Sequence, residues 1–242
     1  MKKPDMILFD YGHTLLYEPD FNALRGEEAL FSYVTENKHN RTPEEIDAFS
    51  GRLFAEISAV RRAGCELHER QFQRMLYEYL GIKLSISYDE AEIILWRSMS
   101  MGACMPGAEQ IIGAVNAMGI RSGVISNIGW SGHALKERLD RLLPTNRFQF
   151  VIASSDYGLR KPHPFLFELA LRKADLPPEN VWFCGDNPRA DVEGAAQVGI
   201  FPVWYDNAHV RDQKDPSEVA PPQCAHLRIG DWTELIDVLQ KL

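Results

Sequence analysis

The sequence predicts an α/β protein, in which a Rossmann-like, doubly wound parallel sheet carries an inserted, all-helical cap domain. From residue 106 onward, short apolar runs alternate with helix-length amphipathic segments, a pattern typical of a parallel sheet covered on both faces. Between residues 17 and 105 that alternation stops and helical periodicity remains. The chain has 242 residues, of which 45% are hydrophobic, so it can bury a large core. The predicted domains are a core of residues 1–16 and 106–242 and a cap of residues 17–105.

The core strands are predicted from short apolar runs, and the segments between them are long enough for right-handed crossovers between parallel strands. A C-terminal amphipathic helix is expected around Trp232 and Leu239, after a polar loop at residues 215–222. We expect core strands at residues 6–9, 123–125, 150–153, 181–184 and 200–204, and helices at residues 108–118, 133–142, 164–174 and 190–198.

Capping signals and apolar spacing predict the helices of the cap. Thr42 is a candidate N-cap, with Pro43 in the first turn and Glu45 as its capping-box partner, and apolar residues then recur at spacings of three and four. A second capping box runs from Ser87 to Glu90. Residues 24–34 and 72–79 show the apolar spacing of two further amphipathic helices. The insertion is therefore predicted to be all helical.

The net charge argues against a nucleic-acid binder. The chain has 26 Lys and Arg against 34 Asp and Glu, a formal charge of −8, whereas binding to phosphate backbones needs clustered Lys and Arg. No segment approaches the roughly 20 apolar residues of a membrane-spanning helix, and we find no secretory cleavage pattern. We expect a soluble, cytoplasmic protein with neither a nucleic-acid nor a membrane partner.

Four polar clusters each follow a predicted apolar strand. Ligands of open α/β sheets bind at the carboxyl ends of the strands, so these clusters are expected to converge on one crevice. They are Asp10-Tyr11-Gly12-His13-Thr14, Ser126-Asn127, Arg160-Lys161-Pro162 and the segment from Gly185-Asp186 to Asp191.

The three aspartates of this set, Asp10, Asp186 and Asp191, indicate a divalent cation. Carboxylates that share a crevice repel each other by about 4 kcal/mol per close pair, at an effective dielectric constant of about 20, unless a cation lies between them. Oxygen ligands with room for water and substrate oxygens suit Mg²⁺. A lysine such as Lys161, together with Mg²⁺ and backbone N–H groups, can stabilise a transferring phosphoryl group.

The order and content of the four clusters resemble the haloacid dehalogenase superfamily. Its phosphatase-type members carry a D-x-D-x-T/V loop, a Ser or Thr after the second strand, a Lys before a helix and a final G-D-x(3–4)-D motif. The helical insertion after the first cluster looks like the α-helical cap of one branch of that family. The resemblance spans nearly the whole chain and implies a Mg²⁺-dependent hydrolase of small phosphomonoesters.

The resemblance also implies a role for each matched residue. Asp10 would be the nucleophile that forms an aspartyl-phosphate, and Lys161 would bridge it to the phosphoryl group. Mg²⁺ would be held by Asp10, the backbone carbonyl of Gly12 and Asp186. Asp191 would not bind the ion directly but would orient Asp186 or a metal-bound water. The residues implied for the substrate side are Lys161, Ser126, Asn127 and Thr14, the last of which supports the Asp10 loop.

One position departs from the family pattern. Gly12 stands where the family has a second aspartate, the usual general acid and base, and His13 stands where it has a glycine. That acid is worth roughly 10²–10⁴-fold in rate. Either His13 or a cap residue such as His68 or Glu69 replaces it, or the substrate has a leaving group that needs little protonation.

Three alternatives remain open at this point. A dehalogenase-like hydrolase of the family lacks the metal, which the pair Asp186 and Asp191 argues against. A phosphonatase-like enzyme needs a Schiff-base lysine from the cap, where Lys38 and Lys83 are the candidates. A catalytically silent binding protein would keep the fold, and Gly12 would then be a substitution that accompanied the loss of activity.

Overall fold

The computed structural model describes residues 1–209 and 220–242, so the predicted polar loop at 215–222 lies mostly outside the described residues. Within them the strands are β1 (Met6–Phe9), β2 (Leu16–Tyr17), β3 (Val34–Asn37), β4 (Ile82–Leu84), β5 (Ala103–Cys104), β6 (Arg121–Ser126), β7 (Val151–Ala153), β8 (Val181–Gly185), β9 (Phe201–Tyr205) and β10 (Leu227–Ile229). The α-helices are α1 (Ala23–Phe31), α2 (Pro43–Arg62), α3 (Glu69–Leu80), α4 (Tyr88–Met99), α5 (Ala108–Ala117), α6 (Gly132–Leu142), α7 (Ser154–Tyr157), α8 (Pro164–Ala174), α9 (Gly194–Gln197) and α10 (Trp232–Gln240).

Six strands form one sheet in the order β10-β9-β8-β1-β6-β7, and every neighbouring pair is parallel. The predicted α/β fold with a doubly wound parallel sheet is thereby confirmed. All five predicted core strands are present within one or two residues of their expected bounds. The edge strand β10 was not predicted, because a three-residue strand offers too short an apolar run.

The two faces of the sheet are covered by different helices. Successive side chains of a strand point to opposite faces, so Ile7 and Phe9 pack with α5, α6 and α10, while Met6 and Leu8 pack with α8 and α9. All four residues of β1 are fully buried, as expected for a strand covered on both sides. The predicted helix at 190–198 is interrupted: a π-helical turn, Pro188–Glu193, precedes the short α9.

Helices α1 to α4 belong to the segment between β2 and β5, residues 18–102, which we call the insertion. They pack around an apolar cluster of their own that includes Leu30, Ile46, Leu76 and Leu95. Both predicted capping boxes are present, from Thr42 to Glu45 and from Ser87 to Glu90.

The expectation that the insertion is all helical was wrong in one respect. Val34, predicted in a helix, begins β3, which pairs with β4 in a two-stranded antiparallel sheet. The pairing partner lies almost fifty residues along the chain, where local apolar spacing gives no information about it. No described helix is both long and apolar enough to span a bilayer.

The insertion joins the core through two adjacent strands. Leu16 and Tyr17 of β2 pair antiparallel with Cys104 and Ala103 of β5. The chain therefore leaves the core and returns to it at neighbouring points, close to the Asp10 loop. The predicted boundaries at 16/17 and 105/106 lie beside this strand pair, and the division into two domains stays a prediction.

Candidate active site

The carboxyl ends of β1, β6 and β8 surround a cavity of about 390 Å³, which we call the reaction cavity. Strand β1 lies between β8 and β6, and the order of the chain through the sheet reverses there. Such a reversal point is where open α/β sheets bind ligands. All four polar clusters meet at this cavity, and every site residue predicted from them except Thr14 lines it.

Lys161 is fixed at the floor of the reaction cavity by three oxygens. Its Nζ donates to Asp10 Oδ1 at 2.6 Å, to Asp191 Oδ1 at 2.7 Å and to the backbone carbonyl of Ile125 at 2.8 Å. Burial disfavours the charged ammonium, but Asp10 and Asp191 outweigh burial and raise the pKa of Lys161 above its usual range. Lys161 is therefore a permanent, oriented positive charge beside Asp10.

The buried carboxylates of Asp10, Asp186 and Asp191 each place an oxygen within 4.8 Å of the others. Burial raises the pKa of Asp10 to about 7; Lys161 opposes this rise, while Asp191 and Asp186 add to it. One lysine thus does not neutralise the cluster. Buried carboxylates with this arrangement fit a hard divalent cation, which would relieve their repulsion.

Asp191 connects the cluster of three buried aspartates to Lys161 and to the backbone. Its Oδ1 accepts from Lys161, and its Oδ2 accepts from the N–H of Asn187 at 2.9 Å. The Asn187 side chain in turn accepts from the N–H groups of Arg189 and Ala190, which starts the π-helical turn that carries Asp191. Gly185 leaves room for the Asp191 carboxylate, because a Cβ atom there would lie 2.4 Å from Asp191 Cγ.

The other predicted binding residues occupy different positions. Ser126 is buried at the end of β6 and faces the reaction cavity. The Asn127 side chain accepts from Lys161 N at 2.7 Å and donates to Lys161 O at 2.8 Å, so it positions the lysine backbone. Thr14 is fully buried beneath the cavity and donates to Asp186 Oδ1 at 3.3 Å. It therefore orients a carboxylate and does not face a substrate.

The two unusual positions of the first cluster, Gly12 and His13, both line the reaction cavity. A Cβ atom at Gly12 would meet nothing within 4 Å, so the space that a side chain would take is open. His13 has a φ of 56°, in the left-handed region where glycine is the ordinary residue. Of the two other candidates, His68 faces Asp156 at 3.4 Å and Glu69 lines a second cavity.

Sequence reasoning missed a polar cluster at the wall of the reaction cavity. Glu18, just after β2, accepts from Trp96 Nε1 and from Arg138 Nη1, each at 2.7 Å. The guanidinium of Arg138 also lies over the Trp96 ring, 3.9 Å from its centroid. Arg138 lies in an amphipathic helix, and its sequence context does not distinguish a buried arginine from a solvated one.

A second cavity of about 330 Å³ lies between the insertion and the core. We call it the insertion cavity. Ile128 and Trp130 line both cavities and form a shared wall, and Trp130 stacks on Trp96 of the insertion at 4.9 Å. The rest of the insertion cavity is mostly apolar, with Arg61, Glu66 and Glu69 among its polar residues.

Comparisons with known proteins identify the family of this chain. The model of the haloacid dehalogenase-like hydrolase family matches residues 5–199. The chain is 33% identical over 222 residues to the pyrimidine 5'-nucleotidase YjjG of Escherichia coli K12, covering 90% of this chain and 92% of that protein. It is 28% identical over 213 residues to the glyceraldehyde 3-phosphate phosphatase of Pyrococcus furiosus, covering 85% and 82% of the two chains.

Other matches are shorter or more distant. The aligned segment spans 56% and 49% of two further phosphatases, from Pyrococcus abyssi and Thermus thermophilus. The solved structure of a HAD phosphatase from Thermococcus onnurineus shares the fold, with a TM-score of 0.64, 22% identity and 97% coverage of both chains. The family model spans most of the sequence and includes all four clusters at the reaction cavity. The chain therefore belongs to the haloacid dehalogenase-like hydrolase family and is an enzyme of the hydrolase class.

Proposed function

We propose that the protein is a Mg²⁺-dependent phosphatase of small phosphorylated metabolites and that Asp10 is its nucleophile. The observation that carries this proposal is the contact of Asp10 with Lys161 at 2.6 Å beside two further buried carboxylates, at the floor of an open cavity. A carboxylate nucleophile, a fixed cation and a metal-type cluster are the groups that phosphoryl transfer through an acyl-phosphate needs.

The reaction has two displacements at phosphorus. In the first, a carboxylate oxygen of Asp10 bonds to phosphorus, and the bond from phosphorus to the leaving oxygen breaks with its electron pair going to that oxygen, which takes up a proton. In the second, a water oxygen bonds to phosphorus and the bond to Asp10 breaks with its electron pair returning to the carboxylate. The water loses one proton, which balances the proton taken up in the first step, and phosphate is released. Lys161 stays charged throughout and offsets the negative charge on the phosphoryl oxygens.

The residues that would hold Mg²⁺ are Asp10, Asp186 and the backbone carbonyl of Gly12. When bound, the ion supplies positive charge to the phosphoryl oxygens and to the carboxylate cluster. Thr14 orients Asp186 and Asp191 orients Lys161, so both act through other residues.

The substrates in the names of the two aligned relatives are a pyrimidine nucleotide and a triose phosphate. These share a phosphomonoester and differ in the group that leaves. The phosphomonoester is therefore the part that we carry over to this chain.

The same geometry disfavours the three alternatives. Lys38 and Lys83 are the lysines that a phosphonatase-like enzyme would use. Lys38 directly follows β3 and Lys83 lies in β4; both are exposed, and they form ion pairs with Glu36 at 3.5 Å and 2.6 Å. The buried acidic cluster, which includes Asp186, has no purpose in a dehalogenase that lacks a metal. A silent binding protein has no physical need for that cluster either, since burying uncompensated carboxylates is unfavourable.

We also propose that the insertion, within predicted residues 17–105, acts as a cap. Residues of both units line the insertion cavity, and the backbone N–H of Glu69 donates to the carbonyl of Gly129 at 2.8 Å across the junction. A cap in this position excludes bulk water from the reaction cavity and contacts the leaving group.

The experiment is release of inorganic phosphate from p-nitrophenyl phosphate and from a panel of sugar, nucleotide and acyl phosphates, with Mg²⁺ or with EDTA. We expect turnover with Mg²⁺ that EDTA and Asp10→Asn both abolish. Asp237→Asn, an exposed aspartate on α10, is the matched control and should retain full activity. Folded protein that binds Mg²⁺ but shows no turnover above Asp10→Asn would contradict the proposal.

A further inference from the structure

The reaction cavity and the insertion cavity meet at a cluster of three charged side chains, Arg61, Glu66 and Arg160. Arg160 lines the reaction cavity, whereas Arg61 and Glu66 line the insertion cavity. Arg61 and Glu66 come from the insertion, and Arg160 comes from the core, one residue before Lys161. We call this set the junction triad.

Glu66 is the centre of the junction triad. Its side chain is completely buried, and Oε1 accepts from Arg61 Nε at 2.8 Å. Its Oε2 accepts from Ser154 Oγ at 3.0 Å and forms an ion pair with Arg160 Nη1. Both carboxylate oxygens are therefore engaged, and each guanidinium keeps further N–H donors.

The backbone fixes the triad across the junction between the two units. Arg160 N donates to the carbonyl of Gly64 and Glu66 N donates to the carbonyl of Gly158, both at 3.0 Å. Cys65 and Leu159 form an isolated antiparallel bridge between these two hydrogen bonds. Arg160 is thus held in place from the insertion side and the core side together.

The triad carries an excess of positive charge. Two guanidinium groups face one carboxylate, and the side chains of Arg61 and Arg160 are only 29% and 20% exposed. Burial lowers the pKa of Arg160 and the neighbouring charge of Arg61 lowers it further, whereas the carboxylates of Glu66 and, more weakly, Asp10 oppose this shift. Asp47 and Glu69 also line the insertion cavity, and burial and Glu92 raise the pKa of Glu69 to about 7, so Glu69 offsets the positive charge only in part. A partly buried cation of this kind is stabilised by an anion from outside the protein.

We propose that Arg160 and Arg61 form a second anion-binding site, which recognises an acidic group on the leaving portion of the phosphomonoester. This inference rests on the proposed phosphatase function, because it assigns the far end of the same substrate. Arg160 lines the same cavity as Asp10 and Lys161, and Ile128 and Trp130 line both this cavity and the one that Arg61 and Glu66 line. The triad is therefore beside the space that the leaving portion of a phosphomonoester held at Asp10 and Lys161 would have to occupy. The substrate class is a small phosphomonoester with a carboxylate or a second phosphate.

The test compares ligands that differ in that second anion. The first pair is 2-phosphoglycolate and ethylene glycol monophosphate, and the second is fructose 1,6-bisphosphate and fructose 6-phosphate, so the two arms separate a carboxylate from a phosphate. Dissociation constants are measured by calorimetry on Asp10→Asn protein with Mg²⁺, and kcat/KM on the active enzyme. In at least one pair we expect the more anionic member to be favoured by roughly 10- to 100-fold, the range for hydrogen bonds to charged groups.

Three variants assign the effect to the triad. Arg160→Gln and Arg61→Gln should each reduce the preference for the more anionic ligand by about tenfold or more, and Arg160→Lys, which keeps the charge, should retain part of it. Arg62→Gln is the matched control, because Arg62 is exposed beside Arg61 and binds Ser58 at 3.1 Å. Thermal unfolding identifies any variant that fails to fold. If either Arg160→Gln or Arg61→Gln does not fold, the ligand preference of the remaining one tests the inference.

Two results would overturn the inference: no preference in either pair for the unmutated triad, or a preference that survives both Arg160→Gln and Arg61→Gln. Hydrolysis of p-nitrophenyl phosphate, which has no second anion, reports on the proposed function separately. The binding measurement on Asp10→Asn protein needs no turnover. A protein that lacks phosphatase activity can therefore still confirm or contradict the second anion site.

Discussion

Gly185 and Asp191 approach each other so closely that no side chain fits at position 185. A Cβ atom there would lie 2.4 Å from Asp191 Cγ, and that carboxylate is already held by Lys161 Nζ and by Asn187 N. The glycine that ends β8, directly before Asp186, is therefore required by a side chain six residues later. The requirement is steric, since no positive φ is involved.

We expect Gly185→Ala to displace Asp191 and, through it, Lys161. The measurements are Mg²⁺ affinity and kcat for p-nitrophenyl phosphate, and both should fall by at least about tenfold because the cluster loses its geometry. Gly113→Ala is the matched control: its Cβ meets nothing within 4 Å on α5, and removal of a helical glycine should leave activity intact and slightly raise the melting temperature. If Gly185→Ala kept the same Mg²⁺ affinity and kcat as Gly113→Ala, the steric argument would be contradicted.

Gly12→Asp tests whether the lack of a carboxylate at position 12 limits the rate of phosphate-ester hydrolysis. The backbone there has no positive φ and the space for a side chain is open, so the substitution is sterically allowed. A carboxyl at this point can protonate the leaving oxygen, so we expect kcat for alkyl phosphates to rise about tenfold or more relative to p-nitrophenyl phosphate, whose leaving group needs little help. Gly12→Asn, of the same size but with no proton to exchange, should leave the ratio unchanged.

Replacement of His13 should move stability and activity in opposite directions if this residue supplies the missing acid. Glycine adopts the φ of 56° without strain, so His13→Gly should stabilise the fold by about 1 kcal/mol or less. Loss of an imidazole acid should lower kcat for alkyl phosphates more than kcat for p-nitrophenyl phosphate, whose leaving group needs little protonation. An unchanged ratio of these two kcat values in both His13→Gly and His13→Ala would eliminate His13 as the acid.

The buried carboxyl of Glu27 makes the stability of the insertion depend on pH. Burial raises its pKa from 4.5 to about 7, a hydrogen bond from Tyr77 opposes the rise, and Asp47 adds to it. The folded state binds this proton more tightly than the unfolded state, so the stabilisation is complete below pH 4.5 and is lost as the pH rises through about 7. The loss is about 3 kcal/mol.

Glu27→Gln keeps the volume of the side chain and removes this titration. Relative to the parent protein, the variant should gain stability between pH 5 and pH 8, measured as the free energy of unfolding in urea at both pH values. Glu28→Gln, at the exposed neighbouring position, should follow the parent protein throughout. If the free energy of unfolding changed equally between pH 5 and pH 8 in the parent protein and in Glu27→Gln, Glu27 would be ionised in the folded state over that range.

Features that depend on local sequence could be predicted. The apolar runs gave the strands of the sheet, and the capping boxes at Thr42 and Ser87 begin the helices where expected. The proposed active-site residues could be predicted because each belongs to a polar segment that follows a strand, and parallel strands bring their carboxyl ends to one edge. Asp10, Lys161, Asp186 and Asp191 meet for that reason.

Features that depend on distant pairing could not be predicted. Val34 lies in a strand because β4 pairs with it, and Glu18 and Arg138, 120 residues apart, meet only after the insertion has packed against the core. The same applies to Glu66 and Arg160, which are 94 residues apart. The amide of Asn127 lines the reaction cavity and also holds the backbone of Lys161, a contact that a motif does not specify; that Asn127 binds substrate stays a prediction.

The short antiparallel pair of β2 and β5 has an evolutionary consequence. Its two residue pairs, Leu16 with Cys104 and Tyr17 with Ala103, bring the ends of the insertion together beside the catalytic loop. The entropy of closing a loop grows only slowly with its length, so the chain between these points is free to lengthen, shorten or be exchanged. The sheet with its proposed active site can therefore be inherited unchanged while the inserted segment diverges, which would let one chemistry pass to new metabolites by replacement of a single module.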